Sequence, residues 1–231
     1  MGAAQEARSG GGAVAGAQAG AQAGTQPAGA QPAGFAGGFA LGTVIATPAG
    51  ERPVETLRAG DRVLTRDNGL QRVRWVGRCR LGAADLHRAP RLRPVRIRSG
   101  ALAARLPEHD IMVSAGHRIL IRDDRAARFF EDSEVLVAAC DLLSLAGVEI
   151  VDTESVGYVQ FMFDQHQVVL ANGMWSESFC PDGPALAALA PDARRQILAL
   201  FPGLADARGR AGYRPARKPL SGAESRLLLS G

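Results

Sequence analysis

The stretch that decides the fold begins at residue 38 and reads Gly38-Phe39-Ala40-Leu41-Gly42-Thr43-Val44-Ile45-Ala46-Thr47-Pro48-Ala49-Gly50. Its β-branched run, Thr43–Thr47, predicts a strand, and the Pro48–Gly50 segment predicts the turn that ends it. A second strand is predicted over Arg62–Thr65, and Asp67-Asn68-Gly69 directly after it is a strong hairpin signal. The stretch therefore indicates a β structure made of short strands.

The same pattern of short apolar runs separated by turns continues along the chain. Further strands are predicted at residues 71–77, 95–98, 111–113, 118–121, 149–151, 157–163 and 167–170. Val135–Leu145 predicts a helix instead, because its apolar residues recur on one helical face. Pro191 opens a second predicted helix, which Pro202-Gly203 ends. We expect an all-β fold, closed or strongly twisted, with a short helical tail packed on it.

Composition divides the chain into three parts. A chain of 231 residues with 46% hydrophobic content can bury one sizeable core. Residues 1–37 are almost entirely Ala, Gly and Gln, which have too little apolar bulk to offset the entropy of ordering, so we expect a disordered segment. The expected boundaries are a disordered 1–37, a main domain at 38–180 and a helical C-terminal extension at 181–231.

The net charge of +4 comes almost wholly from arginine. Arg91, Arg93, Arg96 and Arg98 approximate a period-two row on one face of a strand, which could contact phosphates. No aromatic residues interleave that row, as stacking on bases would require, so a solvated face is the preferred interpretation. We therefore do not expect nucleic acid as a partner.

Two kinds of membrane-directed segment are missing from the sequence. No run of about 18 apolar residues occurs, so we expect no membrane span. The amino terminus lacks both a basic region and an apolar region of the kind that forms a classical signal peptide. The expected location is cytoplasmic, or secreted by a different signal.

Cysteine and histidine spacing gives no support for a metal or another cofactor. Cys79, Cys140 and Cys180 are widely spaced and odd in number, so we predict free and mostly buried thiols, as suits a reducing cytosol. Metal-dependent hydrolysis could in principle use the histidines at 109, 117 and 166. Their spacing matches no short ligand motif, and we expect no cofactor and no metal.

Two further blocks carry residues with possible chemistry. The second block is residues 113–118, Val-Ser-Ala-Gly-His-Arg, and the third is residues 163–173, Phe-Asp-Gln-His-Gln-Val-Val-Leu-Ala-Asn-Gly. In this order and spacing, the three blocks resemble the Hedgehog/intein (Hint) superfamily, specifically its bacterial Hint-domain proteins, over residues 38 to about 180. The resemblance implies a pseudo-symmetric, horseshoe-like β fold that cuts or rearranges its own chain.

The resemblance places the family's nucleophile at Gly38. In active members a Cys or Ser opens the domain, and its side chain attacks the carbonyl just before it, which turns an amide into a reactive ester or thioester. Phe39, Gly42 and Thr43 match the residues that come after the nucleophile in the family, but Gly38 has no side chain with which to attack. Thr43 is the nearest hydroxyl, and we expect it to pack in the first strand.

The same resemblance assigns roles in the other two blocks. Ser114 and His117 resemble the family's T-x-x-H signature, in which the histidine protonates or polarises the departing amide nitrogen and the first residue orients the peptide. Inteins end in His-Asn, and Glu177-Ser178 stands at that position here, so we do not expect splicing. Asn172 precedes a glycine and is expected to form a tight turn.

Two questions stay open at the level of sequence. Asp164 and His166 either form an acid–imidazole pair near the cleft or only brace the loop before the last strand. The domain either cleaves its own chain at its N-terminal boundary, or it is a degenerate module with a structural or protein-interaction role and a protein partner. Because Gly38 lacks a nucleophile, we expect no efficient cleavage.

Overall fold

The computed structural model describes residues 37–102 and 105–230, and the segment predicted to be disordered, 1–37, lies outside them except for Gly37. The expected all-β fold with helices toward the C-terminus is confirmed. The strands are β1 Phe39–Ala40, β2 Val44–Thr47, β3 Gly50–Pro53, β4 Arg62–Thr65, β5 Gly69–Arg72, β6 Trp75–Leu81, β7 Pro94–Ile97, β8 Ile111–Ser114, β9 Arg118–Arg122, β10 Glu134–Ala138, β11 Val148–Ile150, β12 Val156–Met162, β13 Val168–Ala171, β14 Met174–Glu177 and β15 Lys218–Pro219. The helices are α1 Ala83–Arg88, α2 Asp124–Phe130, α3 Gly183–Ala188, α4 Pro191–Leu200, α5 Ala207–Gly212 and α6 Gly222–Leu229.

The first sheet places block one beside block two. Within the described residues it has six strands in the order β11-β7-β8-β1-β12-β6. Strand β1 lies between β8 and β12, so Phe39 is paired with Val113 on one side and with Val159 on the other. The first residues of the domain are therefore held in the middle of a sheet, next to the strand that ends at Ser114.

The second sheet carries block three. Its strands run β15-β10-β9-β14-β13-β2-β3, and β4 pairs with both β13 and β5. Asn172 and Gly173 connect β13 to β14 with φ values of 47° and 74°, as a two-residue hairpin turn of the primed type requires. The Asn172 side chain accepts from Val44 N at 2.8 Å and donates to Asp110 O at 2.7 Å. The predicted tight turn therefore forms and also ties β2 to the hairpin.

The predicted helix at Val135–Leu145 is wrong. Residues 134–138 form β10, which pairs with β9, and a 3-10 helix at Ala139–Ser144 comes directly after it. Val135, Leu136 and Val137 are all buried, so both faces of β10 are covered and its side chains do not alternate between apolar and polar. A short continuous apolar run of this kind has no period that separates a buried strand from a helix.

The C-terminal helices pack on the β body, as the sequence predicts. Leu186 and Ile197, from α3 and α4, are buried in one cluster with Trp75, whose indole Nε1 donates to Gln196 Oε1 at 3.1 Å. Leu228 of α6 belongs to the main core. The tail also contributes a strand, because β15 pairs in parallel with β10.

The arginine row is paired with acids rather than aligned on one strand. Arg96 and Arg98 both contact Glu149, and Arg93 contacts Asp152. Arg91 lies in the 3-10 helix Pro90–Leu92, so the expected four-residue row does not form. These ion pairs agree with the preferred solvated interpretation.

The three cysteines are free thiols, as expected, but they are less buried than predicted. Cys79 and Cys180 are half-buried, whereas Cys140 is exposed. In the part of the chain that the structure describes, no helix is long and apolar enough to cross a membrane.

Candidate functional site

Gly38, Ser114 and His117 lie together, because the central position of β1 brings the first two blocks into contact. Ser114 N donates to Gly38 O at 2.9 Å, and His117 N donates to Ser114 O at 3.0 Å. The Phe39 and His117 rings pack edge to face with centroids 4.3 Å apart. The tight turn at residues 114–117 therefore sets the imidazole against the segment that contains Gly38.

A hydrogen bond to the Gly37 carbonyl oxygen holds the peptide bond between Gly37 and Gly38. Gln160, on β12, donates from Nε2 to Gly37 O at 2.6 Å. Gly37 has a φ of +59°, and a β-carbon on it would lie 3.3 Å from Glu177 Oε1 and 3.8 Å from His117 Nδ1. Both the backbone conformation and the lack of space favour glycine at this position. Gly37 belongs to the site, although composition grouped it with the N-terminal segment.

His117 is a buried, neutral imidazole. Burial, with the nearby Arg118 charge as a second cause, lowers the pKa of His117 to about 3. Its Nε2 atom has no hydrogen-bond partner among the described residues, and the Ser114 hydroxyl is likewise buried and unpaired. At neutral pH the ring therefore carries no charge, and one of its nitrogens can donate a hydrogen bond while the other can accept one.

Glu177 forms a buried ion pair with Arg118 at the opposite side of the same site. Its Oε1 accepts from Arg118 N at 2.9 Å, and its Oε2 lies 3.2 Å from Arg118 Nη1. Burial raises the pKa of Glu177 to about 7, and the opposing effect of Arg118 does not cancel it. Glu177 is therefore a buried carboxyl group whose pKa lies near neutral pH.

Asp164 and His166 do not form the acid–imidazole pair that the sequence left open. The exposed Asp164 carboxylate instead accepts from Arg74 Nη1. His166 is buried, accepts from Ala216 N at 2.9 Å through Nδ1, and lies 3.0 Å from Ser178 O through Nε2. These contacts fix a neutral Nε2–H tautomer, and burial lowers the pKa of His166 to about 4.

A cavity of about 600 Å³, the site cavity, opens beside these residues. Gly37, Gly38, His117 and Glu177 line one part, and the remaining lining combines apolar residues of β12 and α3 with polar residues such as Gln160 and Asp182. Cys180 also lines it, but burial, with the Glu177 charge as a second cause, raises the pKa of Cys180 to about 12. The site cavity therefore adjoins the Gly37–Gly38 peptide without presenting a thiolate to it.

No metal cluster accompanies the site. Among the residues that the structure describes, no three histidine, cysteine or carboxylate side chains are grouped so that they could hold an ion. His109 is exposed, whereas His117 and His166 are buried.

The family model for the Hint domain matches residues 37–183, which contain all three blocks together with Gln160 and Glu177. The chain belongs to the Hint domain family. Solved structures similar to this Hint domain include the gp41-1 intein, with 16% identity, 61% of this chain and 97% of that chain covered, and a TM-score of 0.37. A bacterial intein-like domain from Clostridium thermocellum has 14% identity over 63% of this chain and 100% of its own, with a TM-score of 0.38. A DnaB intein from Synechocystis sp. PCC 6803 has 10% identity over 62% of this chain and 99% of its own, with a TM-score of 0.40. No curated protein matches the chain significantly.

Two residues of this Hint domain site were not predicted as site residues. Gln160 lies in the middle of β12, in a strand whose pattern predicts only burial, and its neighbour on β6 is Gly77. The sequence resemblance identifies Glu177 only as the residue that stands where inteins have histidine. Its pairing with Arg118 depends on the contact between β14 and β9, where Ser176 is opposite Ile119. A polar side chain within a largely apolar strand is the signal that could have indicated both.

Proposed function

We propose that this chain is a Hint domain that keeps the framework for self-processing but does not perform the family's acyl shift. Its own chain, at the Gly37–Gly38 peptide, is the substrate of the inferred ancestral reaction. The observation that carries the proposal is the glycine at position 38, whose carbonyl accepts from Ser114 N in direct contact with the turn that bears His117. With no thiol or hydroxyl at this position, the ester or thioester cannot form.

The groups that would assist an attack are nevertheless in place. Gln160 donates to the Gly37 carbonyl oxygen, where negative charge develops when that carbonyl is attacked. The neutral His117 ring lies beside Gly37 and is suited to polarise the Gly38 nitrogen through a hydrogen bond as it departs. Ser114 orients the Gly38 segment through its backbone NH.

Neither of the nearest alternative nucleophiles supports cleavage. Thr43 is buried, and its Oγ1 lies 3.5 Å from Met112 O rather than in the site cavity. Cys180 lines the cavity, but the raised pKa of its thiol keeps it protonated at neutral pH.

We also propose that the domain does not splice. Asparagine cyclisation would require an amide side chain at the end of β14, where the chain has Glu177 and Ser178. The Ser178 hydroxyl accepts from Gln167 N at 3.0 Å, and its carbonyl lies against His166. In this proposal His166 braces that loop and Asp164 has no part in the chemistry.

A structural or protein-interaction role is the second candidate. The site cavity favours it, because apolar residues of β12 and α3 line part of an opening of about 600 Å³ that a partner could enter. For either role we propose that 38–180 is the Hint domain and that 181–231 is an extension built onto it, with buried contacts such as that of Trp75 with Gln196.

The test is to restore the missing side chain with Gly38→Cys. Because His117, Ser114 and Gln160 already surround the peptide, we expect this variant to cleave between residues 37 and 38 when hydroxylamine or a thiol is added. Adding His117→Ala should slow that cleavage by about a hundredfold, a typical value for loss of a general acid. Gly38→Ala is the matched control, since it adds a β-carbon without a thiol. Intact mass measures all three, and a stably folded Gly38→Cys chain that stays whole contradicts the proposal.

A further inference from the structure

Glu177 faces the Gly37–Gly38 peptide from inside the site cavity. The place that a β-carbon would occupy on Gly37 is 3.3 Å from Glu177 Oε1, so the carboxylate lies beside the residue whose carbonyl would be attacked. The carboxyl group is almost fully buried, at 5% exposure. Gly37, Gly38 and Glu177 all line the same opening of about 600 Å³, which has room for water beside the peptide.

The carboxylate has unused acceptor capacity. An ionised carboxylate offers about four lone-pair sites. Arg118 N and Arg118 Nη1 use two of them, at 2.9 and 3.2 Å. His166 Nε2 lies 3.8 Å from Oε2, beyond hydrogen-bond distance, and the nearby Asp182 charge acts to raise the pKa of Glu177. Glu177 can therefore hold a water molecule and remain paired with Arg118.

Of the two proton-transfer groups beside Gly37, Glu177 is the base. The pKa of His117, lowered to about 3, makes its imidazole a weak proton acceptor. Burial raises the pKa of Glu177 to about 7, which makes this carboxylate a stronger base than an ordinary one and leaves much of it ionised at neutral pH. Gln160 already donates to the carbonyl oxygen of Gly37 at 2.6 Å.

We propose that Glu177 directs slow, single-turnover hydrolysis of the Gly37–Gly38 peptide, with water in place of the missing side chain. The Glu177 carboxylate takes a proton from water as the water oxygen forms a bond to the Gly37 carbonyl carbon. The carbonyl electron pair moves to the oxygen held by Gln160, then returns as the carbon–nitrogen bond breaks. The proton on Glu177 passes to the Gly38 nitrogen. The second water proton leaves the new carboxyl group and protonates the amine, so that one water is consumed and the products are a Gly37 carboxylate and a Gly38 ammonium group.

This inference rests on the proposed function, because it takes the Gly37–Gly38 peptide as the substrate of the site. It differs in the attacking group, and no acyl-enzyme forms. A hydroxylamine-accelerated cleavage of the unsubstituted chain would overturn the proposed function. An unsubstituted chain that is not hydrolysed would overturn only the present inference.

The experiment monitors the full unsubstituted chain by intact mass over days in water enriched in oxygen-18. We expect fragments 1–37 and 38–231, with one oxygen-18 atom added to the first. The cleavage rate should rise with pH and level off above about 7, as the Glu177 carboxylate forms. The chain unfolded in urea should stay whole, which excludes spontaneous cleavage of the Gly-Gly sequence.

Glu177→Gln keeps the shape of the side chain and removes the base, so we expect cleavage to slow by about a hundredfold or more. Glu134→Gln is the matched control, since Glu134 is a partly buried carboxylate paired with Arg66 and Arg217 in a different ion-pair cluster. If Glu177→Gln does not fold, the pH profile and the isotope content of the unsubstituted chain decide the question. Cleavage that is unchanged in a folded Glu177→Gln variant, that lacks oxygen-18 or that has a flat pH profile overturns the inference.

Discussion

The two sides of the site cavity differ in how their residues are held. On the Gly38 side, a residue without a side chain lies among closely placed neighbours: Ser114 N contacts Gly38 O, and His117 packs against Phe39. On the Glu177 side, where the sequence resemblance leads us to expect His-Asn, a carboxylate forms a buried contact with Arg118. In the proposed account, the Gly38 side lacks one group in an otherwise complete arrangement, whereas the Glu177 side has a different arrangement. We therefore expect only the Gly38 side to be reversible by substitution.

The largest effect should come from an attempt to introduce His-Asn on the Glu177 side with Glu177→His and Ser178→Asn together. This variant leaves Arg118 partly buried without its carboxylate, which should cost about 3 kcal/mol of unfolding free energy. We expect no cleavage after residue 178 in spite of the restored sequence. Urea titration gives the stability and intact mass gives the cleavage; Gly38→Cys, measured beside it, should retain near-native stability. Efficient cleavage after residue 178 would show that both sides are equally reversible.

A smaller effect is expected at the Asn172-Gly173 turn, whose asparagine side chain contacts Val44 and Asp110. Asn172→Ala removes the acceptor of Val44 N and the donor to Asp110 O, and should lower the unfolding free energy by about 2 kcal/mol. Asn68→Ala is a matched control, since Asn68 is also next to a hairpin glycine but has one side-chain partner, Gln167. Equal losses in the two variants would mean that the Asn172 contacts do not stabilise the site's framework.

A further effect concerns the pH dependence of stability. The folded-state pKa of His117 is lowered to about 3, so the unfolded chain binds a proton at this residue that the folded chain excludes. The stability that depends on neutral His117 is present above the unfolded pKa, about 6.5, and is lost as pH falls below it, at about 1.4 kcal/mol per pH unit. The difference in unfolding free energy between the unsubstituted chain and His117→Asn isolates this contribution from that of Glu177. A difference that does not change between pH 6 and 4 contradicts the assignment.

Sequence reasoning predicted best what depends on local signals. The hairpin after Thr65 is expected from Asp67-Asn68-Gly69, and Thr65 is indeed paired with Gly69. It failed at Val135–Leu145, because burial on both faces of β10 removes the alternation that marks a strand. The pairing of β10 with β9 on one side and with β15 on the other is a tertiary fact that its own residues do not encode.

The residues of the site also divide into those that local sequence patterns predict and those that they do not. Gly38, Ser114 and His117 could be named from three short blocks, because each block has its own pattern. Gln160 and Glu177 could not be given their places, because both act through partners far along the chain, Gly37 and Arg118. The separation of Asp164 from His166 is likewise decided by contacts with Arg74 and Ala216, which lie outside the third block.

The most direct test of the account is capture of an acyl intermediate in the unsubstituted chain and in Gly38→Cys, side by side, with hydroxylamine. The account predicts a fragment 1–37 ending in a hydroxamate from Gly38→Cys. From the unsubstituted chain it predicts no hydroxamate, with any fragment 1–37 ending in a carboxylate. A Gly37 hydroxamate from the unsubstituted chain would show that an ester or thioester forms without a side chain at position 38, and would contradict the central claim.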